Sequence, residues 1–419
     1  VADGIDPRRA TSSGAYAAVG LVGVQLLSFG SMWLVSRTLG PDAYGRLGLA
    51  LIAGVYAYQI VQAGLDAFQT RLLAQADPNE SKRILGGTLR QKQWAALVAL
   101  AAGAVLALLW NHADERVLIF IGVLDGVALA FTLPSAFDAR GATATYFGFA
   151  VARQAIYLAG VAVLVLFAPQ FLSVQNVLIL HLAAILPQLW LERRWIRTHY
   201  GAPDISDSRK RSGEQFRAAI PLSVGSAAWQ LAMVIGPPIL EFTGHRAEMG
   251  FLVLSNQLAM AAHSLSLLFS RIAMAKLAQI ADPFSTAFRT AWLIETLRFT
   301  ALAMVLAACG AFIGPFFIER IWGTAFAAAG ALFAIDVWRI IGAFGGGVTS
   351  AALVCQSRLN TLAICHVLSL ASGVALALIF MPAHGARAAV WAVVVARGGF
   401  LLLSTLSLLL RPAQKGLTA

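Results

Sequence analysis

Charge is scarce in this chain: Asp, Glu, Lys and Arg together supply only 12% of its 419 residues. A water-soluble protein of this length needs far more polar surface to cover its core, so a soluble globular fold is excluded. Cysteine is scarcer still. Cys309, Cys355 and Cys365 lie in or beside apolar runs, without CxxC or paired metal-ligand spacing, and read as packing residues. No metal or cofactor is expected. No GxxxxGK[ST] string occurs, which removes an ATP-driven pump domain in this chain. Ten-residue segments of alternating polarity are also missing, and with them the outer-membrane β-barrel. No short apolar run with a small-residue cleavage site opens the sequence, so the first apolar run is expected to remain in the mature protein.

What is present is apolar length. Hydrophobic residues make up 59% of the chain and the mean hydropathy is +0.74. A bilayer core of about 30 Å needs roughly 20 apolar residues per helix, and the sequence offers about twelve such runs. They are placed at 14–36, 47–65, 94–110, 117–137, 147–167 and 174–191, then 216–240, 249–269, 291–312, 325–353, 359–380 and 388–410. The expected fold is therefore an all-α integral membrane protein. Basic residues test the count: with the N-terminus cytoplasmic, 21 of the 31 Lys and Arg fall on that side, six outside and four within spans. This asymmetry fits a multi-pass protein of the bacterial inner membrane with both termini cytoplasmic. The net charge of +11 then reflects topology, since no basic, aromatic-rich soluble module exists to bind nucleic acid.

The polar stretch 192–215 reads as a basic cytoplasmic linker between two six-helix bundles, residues 1–191 and 216–419. The bundles look related. At an offset of 205, Gly45 matches Gly250, and the string from Arg71 to Pro78 matches that from Lys276 to Pro283. Six is even, so the repeat is expected to be parallel, with two bundles about a central cleft and transport by rocking one against the other.

Three motifs carry a family resemblance. Leu39-Gly40-Pro41-Asp42-Ala43-Tyr44-Gly45 resembles the LGPxxYG signature of the Wzx-type polysaccharide-export flippases, a branch of the multidrug/oligosaccharidyl-lipid/polysaccharide superfamily. Pro315 through Trp322-Gly323-Thr324-Ala325-Phe326 resembles the family's pattern before the tenth helix. Met381-Pro382-Ala383-His384-Gly385-Ala386-Arg387-Ala388-Ala389 is similar to its turn between the last two helices, with Arg387 where a second Gly is common. The resemblance implies movement of undecaprenyl-diphosphate-linked oligosaccharides from the cytoplasmic to the outer leaflet without ATP hydrolysis. It also implies a polysaccharide polymerase and glycosyltransferases as working partners. Gly and Pro at these turns have an equally good structural use, so the motifs point to the family and not to the site.

Candidate site residues are the ionisable groups inside spans: Asp125, Arg153, Glu295, Arg298, Asp336, Arg339 and Arg397. At roughly 3 kcal/mol for each charge near the bilayer centre, lipid exposure of all of them is prohibitive, and they are expected to face inward. Spacing of three pairs Glu295 with Arg298 and Asp336 with Arg339. Arg397, Arg339, Arg153 and Arg298 are the candidates for a diphosphate, which guanidinium meets with parallel hydrogen bonds. Asp125, with Asp336 and Glu295, is a candidate for proton coupling or charge pairing. Trp33, Tyr56, Tyr58, Trp229 and Trp338 are candidates for stacking on sugar rings, with packing the alternative. Gly342 and Gly345 to Gly347, and Pro221, Pro237 and Pro238, mark possible hinges or close packing.

Two other functions are open. A drug or cation antiporter of the same superfamily would share the fold but favour acidic groups, and the span 14–36 has no charge. A membrane glycan polymerase or ligase would need a large outer loop or a catalytic cluster. His112, His245 and His384 stand at outer helix ends, while His181, His263 and His366 have no carboxylate at helical spacing, so enzyme activity is not expected.

Overall fold

The apolar runs fold as helices because a backbone in lipid has no water to satisfy its N–H and C=O groups. The computed structural model describes residues 7–62, 65–110, 112–204, 220 and 223–410. Contacts divide the chain into two compact units, Val1–Ser223 and Val224–Ala419.

The first unit contains α1 (Pro7–Gln62), α2 (Leu65–Gln75), α3 (Pro78–Leu109), α4 (Ala113–Ala130), α5 (Pro134–Ala139), α6 (Thr143–Phe167) and α7 (Val174–Tyr200). The second contains α8 (Ser223–Met233), α9 (Gly236–Phe242), α10 (Met249–Ala278), α11 (Thr286–Trp322), α12 (Ala327–Asp336), α13 (Arg339–Cys355) and α14 (Leu359–Leu410). No strand occurs among the described residues. Among the described residues, eight helical stretches are long and apolar enough to cross a membrane, nine if the bent pair α8 and α9 forms one span. The protein is a multi-pass, all-helical membrane protein. Part of the difference from the expected twelve is that α1 and α14 are each two legs joined at a glycine; α10, although 30 residues long, is not among the stretches that qualify. The outer faces of the helices are fit for lipid: Phe167 on α6 and Phe312 on α11 are 78% and 88% exposed.

The breaks lie where the sequence supplies a reason. Gly40 (φ 77°) precedes Pro41 and divides α1 within the LGPxxYG-like string. Gly385 (φ 54°, ψ −136°) divides α14, in a conformation essentially reserved for glycine. Glu248 fixes this second break, its Oε2 accepting the Ala386 N–H at 2.6 Å. A Cβ on Gly385 would sit 2.6 Å from the same carboxylate. Gly385→Ala is therefore expected to cost about 2 kcal/mol, from backbone strain and a displaced cap. A drop in Tm of the purified protein by several degrees checks this; an unchanged Tm overturns it.

The expected span 117–137 is also broken, at Phe131-Thr132-Leu133, because Pro134 offers no N–H. Buried side chains satisfy the freed groups. Lys92 Nζ donates to the Ala130 and Thr132 carbonyls at 2.7 and 2.8 Å, Arg193 Nη2 donates to Phe131 O at 3.0 Å, and Glu192 Oε2 accepts the Leu133 N–H at 3.1 Å. Lys92, assigned to a loop from sequence, is a fully buried helical residue. Likewise α7 continues to Tyr200, so residues 192–200 of the expected linker are helix, and 205–215 lie outside the described residues.

The repeated string behaves alike in both units. Asp77 Oδ1 accepts the Asn79 and Glu80 N–H groups at 2.8 Å, and Asp282 Oδ1 accepts that of Phe284 at 2.9 Å. Each Asp thus holds the turn before a long helix.

Candidate functional site

The most polar part of the second unit's interior is built around α12 and α13. At their junction the Trp338 N–H bonds to Ile335 O at 3.2 Å, three residues back, so the helix tightens for a turn. Asp336 ends α12 and Arg339 begins α13. Both are 1% exposed, and Arg339 Nη2 donates to Asp336 Oδ2. Arg339 Nη1 also donates to Asn256 Oδ1 at 2.8 Å, and the Ser255 hydroxyl donates to Asp336 Oδ2 at 3.2 Å. Met233, where α8 ends and the chain bends by 57° into α9 at Gly236-Pro237-Pro238, places its sulfur 3.8 Å from Arg339 Nη1.

Arg397 on α14 is also 1% exposed, yet it meets no carboxylate among the described residues. Its Nη2 donates to the Trp229 carbonyl at 2.6 Å and its guanidinium lies 3.4 Å from the Trp229 ring centroid. Its Nε is buried without a partner, as are His263 Nδ1 and Asp336 Oδ1. His263, His366 and Phe400 surround the same indole at ring separations of 5.2, 5.3 and 6.0 Å. The second unit thus buries two guanidiniums, those of Arg339 and Arg397, and only Arg339 has a carboxylate partner among the described residues. That imbalance suits an anion: a phosphate or carboxylate group neutralises the excess charge and occupies the free donors.

The other candidates fall elsewhere. Glu295 is held by Lys276 at 2.7 Å and not by Arg298, which is exposed on α11. The spacing rule fails there because α10 brings a stronger partner across the turn. Arg153, on α6 of the first unit, is partly buried and its Nε has no partner. Asp125 on α4 is buried and lies 2.7 Å from His181 Nδ1 on α7. Sequence reasoning missed this pair because 56 residues separate its members. Of the aromatic candidates, Trp229 forms part of the Arg397 cluster, while Trp338 packs against the apolar core of α10, α11 and α13. Trp33 lies under Arg37, 5.8 Å from its guanidinium carbon. Tyr56 and Tyr58 are half-buried on α1. Gly342 packs on the Arg397 backbone and Gly346 on Phe400, which favours close packing as their role. His245 and His384, read as isolated, line one pocket with Glu248 and Arg387. Pro221 lies outside the described residues.

A family described as polysaccharide biosynthesis protein matches residues 11–275, well over half of the chain. The protein belongs to that family. A comparison with curated protein sequences finds no match. Solved structures of similar fold are transporters of the MOP superfamily. An inward-facing multidrug resistance transporter of the MATE family is 14% identical over 94% of this chain and 97% of its own, with a TM-score of 0.72. The lipid II flippase MurJ, in an inward closed conformation, is 10% identical over 93% of this chain and 87% of its own, with a TM-score of 0.73. A MOP superfamily transporter from Pyrococcus furiosus is 15% identical over 96% and 95%, with a TM-score of 0.56. At these identities the likeness is one of fold.

Proposed function

We propose that this protein is a flippase. It carries polyprenyl-diphosphate-linked oligosaccharide units from the cytoplasmic to the periplasmic leaflet of the inner membrane, by alternating access driven by an ion gradient. The units serve surface polysaccharide synthesis (O-antigen, exopolysaccharide or capsule), between glycosyltransferases that build them and a polymerase that joins them. The observation that supports this most is the buried Arg397, with no carboxylate partner among the described residues, in the same unit as the buried Arg339–Asp336 pair and in a chain of the polysaccharide biosynthesis family. A drug-cation exporter has no use for a buried positive excess. A diphosphate has, because it is anionic and presents oxygens to several donors at once. Both guanidiniums are buried, so the headgroup enters when the unit opens and the lipid tail stays in the bilayer. No hydrolysis or bond formation is assigned to these residues.

Deletion of the gene tests the reading. Mass spectrometry of lipid extracts is expected to show accumulation of one complete polyprenyl-diphosphate saccharide, restored to normal by the wild-type gene. Unchanged lipid intermediates with altered drug tolerance would replace the flippase with the antiporter.

A further inference from the structure

Asp125 is the one buried acidic group near the middle of α4, and the geometry around it is that of a proton acceptor rather than of an ion pair with Arg or Lys. Its Oδ1 is 2.7 Å from His181 Nδ1. With Nδ1–H donated to the carboxylate, Nε2 is the ring nitrogen left to accept a proton. The His181 side chain keeps 21% exposure while that of Asp125 has 6%, so the imidazole is the more accessible member of the pair. The Tyr157 ring of α6 stands edge-on against His181, at 4.8 Å and 89°, and fixes its plane.

The surroundings offer little competition. On α3, Lys92 is committed to the Ala130 and Thr132 carbonyls, more than a turn beyond Asp125, and no ionisable residue follows it to Leu109. The second leg of α1 carries Tyr56 and Tyr58, neither charged at neutral pH, and its charged residues, Asp42 and Arg46, lie at its start, where Arg46 pairs with Asp42 and Asp114. On α6, Arg153 lies one turn before Tyr157 and forms no ion pair among the described residues. Without a proton the Asp125–His181 pair is a net anion inside an apolar bundle. With one proton it is neutral, and the contact between α4 and α7 becomes an ion pair. Proton binding therefore strengthens the link between the two helices, and release weakens it.

The two sides of that link are not equally free. On α4, Gly122 and Gly126 press against the backbone of α1 at Ala50 and Gly54. Asp125 is thus anchored to the α1–α4 pair, and because Glu192 and Arg193 already tie the later part of α7 to the end of α4, the contact that depends on the proton is the one at His181.

We propose that Asp125 and His181 form a proton-binding site in the first unit, the proton being held on His181 Nε2 against the Asp125 carboxylate, and that this site couples transport to the proton gradient. The site stands on its own geometry; its use as the coupling site rests on the ion-driven flippase reading. Two measurements separate these. In the full-length protein in nanodiscs with ¹⁵N-histidine labelling, one imidazole, absent in His181→Gln, is expected to show Nδ1 as its protonated, hydrogen-bonded nitrogen and to lose that signature in Asp125→Asn. A His181 signal with Nε2 as the protonated nitrogen, or one unchanged in Asp125→Asn, overturns the site.

In liposomes, the probe is a fluorescent polyprenyl-diphosphate monosaccharide under a gradient of two pH units. Wild type is expected to accumulate it on one leaflet by up to about a hundredfold, the limit for one proton per cycle. Asp125→Asn and His181→Gln are expected to bring the ratio close to one. Accumulation that follows sodium and ignores pH overturns the coupling role and leaves the flippase. Failure of wild type to move the probe under any gradient overturns the flippase, while the imidazole spectra still decide the site.

Discussion

Replacing Arg397 by Ala is expected to abolish transport while leaving the protein folded, and the two halves of that expectation have separate physical origins. A charged side chain that meets a buried headgroup contributes about 2–5 kcal/mol, so its loss lowers transport some thirtyfold or more. Stability follows a different rule. Arg397 is enclosed against a carbonyl and an indole face with no carboxylate, so removing it also removes a buried charge that nothing compensates fully. Tm in Arg397→Ala should therefore hold or rise. Arg339→Ala is the contrast: it strands Asp336, 1% exposed, and is expected to destabilise by about 3–5 kcal/mol as well as to stop transport. Arg397→Lys tests the geometry, since an ammonium is a compact point charge that cannot lie flat on Trp229 and donate in parallel to a diphosphate. Lipid-linked saccharide accumulation in cells, read beside membrane levels and Tm of each variant, measures all three. Normal transport in Arg397→Ala would remove the anion site.

What sequence alone made legible here follows from which forces act along the chain and which act across it. Span positions were readable because lipid solvation is a property of each run by itself, and Gly40 and Gly385 stand within motifs visible as strings. Asp336 and Arg339 were readable as a pair because a spacing of three keeps two residues on one side through the tightened turn that joins α12 to α13. The same rule misassigned Glu295, whose partner Lys276 comes from the helix before it. His181 was passed over for the same reason in reverse. Helical periodicity shows that a residue is on a face, not which other face it meets, and Asp125 reaches it from α4. Lys92 and Glu192 were hidden by a different effect. They answer to backbone groups freed by a break at Pro134, and nothing about a lysine in sequence announces that its partner is a carbonyl.

Gly122→Leu is expected to prevent the first unit from folding. Between helices in lipid there is little hydrophobic drive, and association depends on how closely the backbones approach. Here α1 and α4 approach until a Cβ on Gly122 would overlap the Ala50 carbonyl oxygen, one on Gly126 the Gly54 carbonyl oxygen, and one on Gly54 that of Gly122. These neighbours are backbone atoms in two helices and cannot rotate aside as a side chain does. Even Gly122→Ala, which gains up to about 1 kcal/mol of helix propensity, should be a net loss, because overpacking costs about 1–3 kcal/mol. Leu forces the helices apart along the contact that also sets the height of Asp125 against His181. Gly148→Ala is the control: it lies in α6 with open space around its Cβ, so it collects the propensity and meets nothing. Size-exclusion profiles and Tm in detergent should therefore rank Gly148→Ala at or above wild type, Gly122→Ala below it, and Gly122→Leu as aggregated. A Gly122→Ala protein as stable as wild type would mean that α1 and α4 do not pack backbone to backbone, and the anchoring of Asp125 would fall with it.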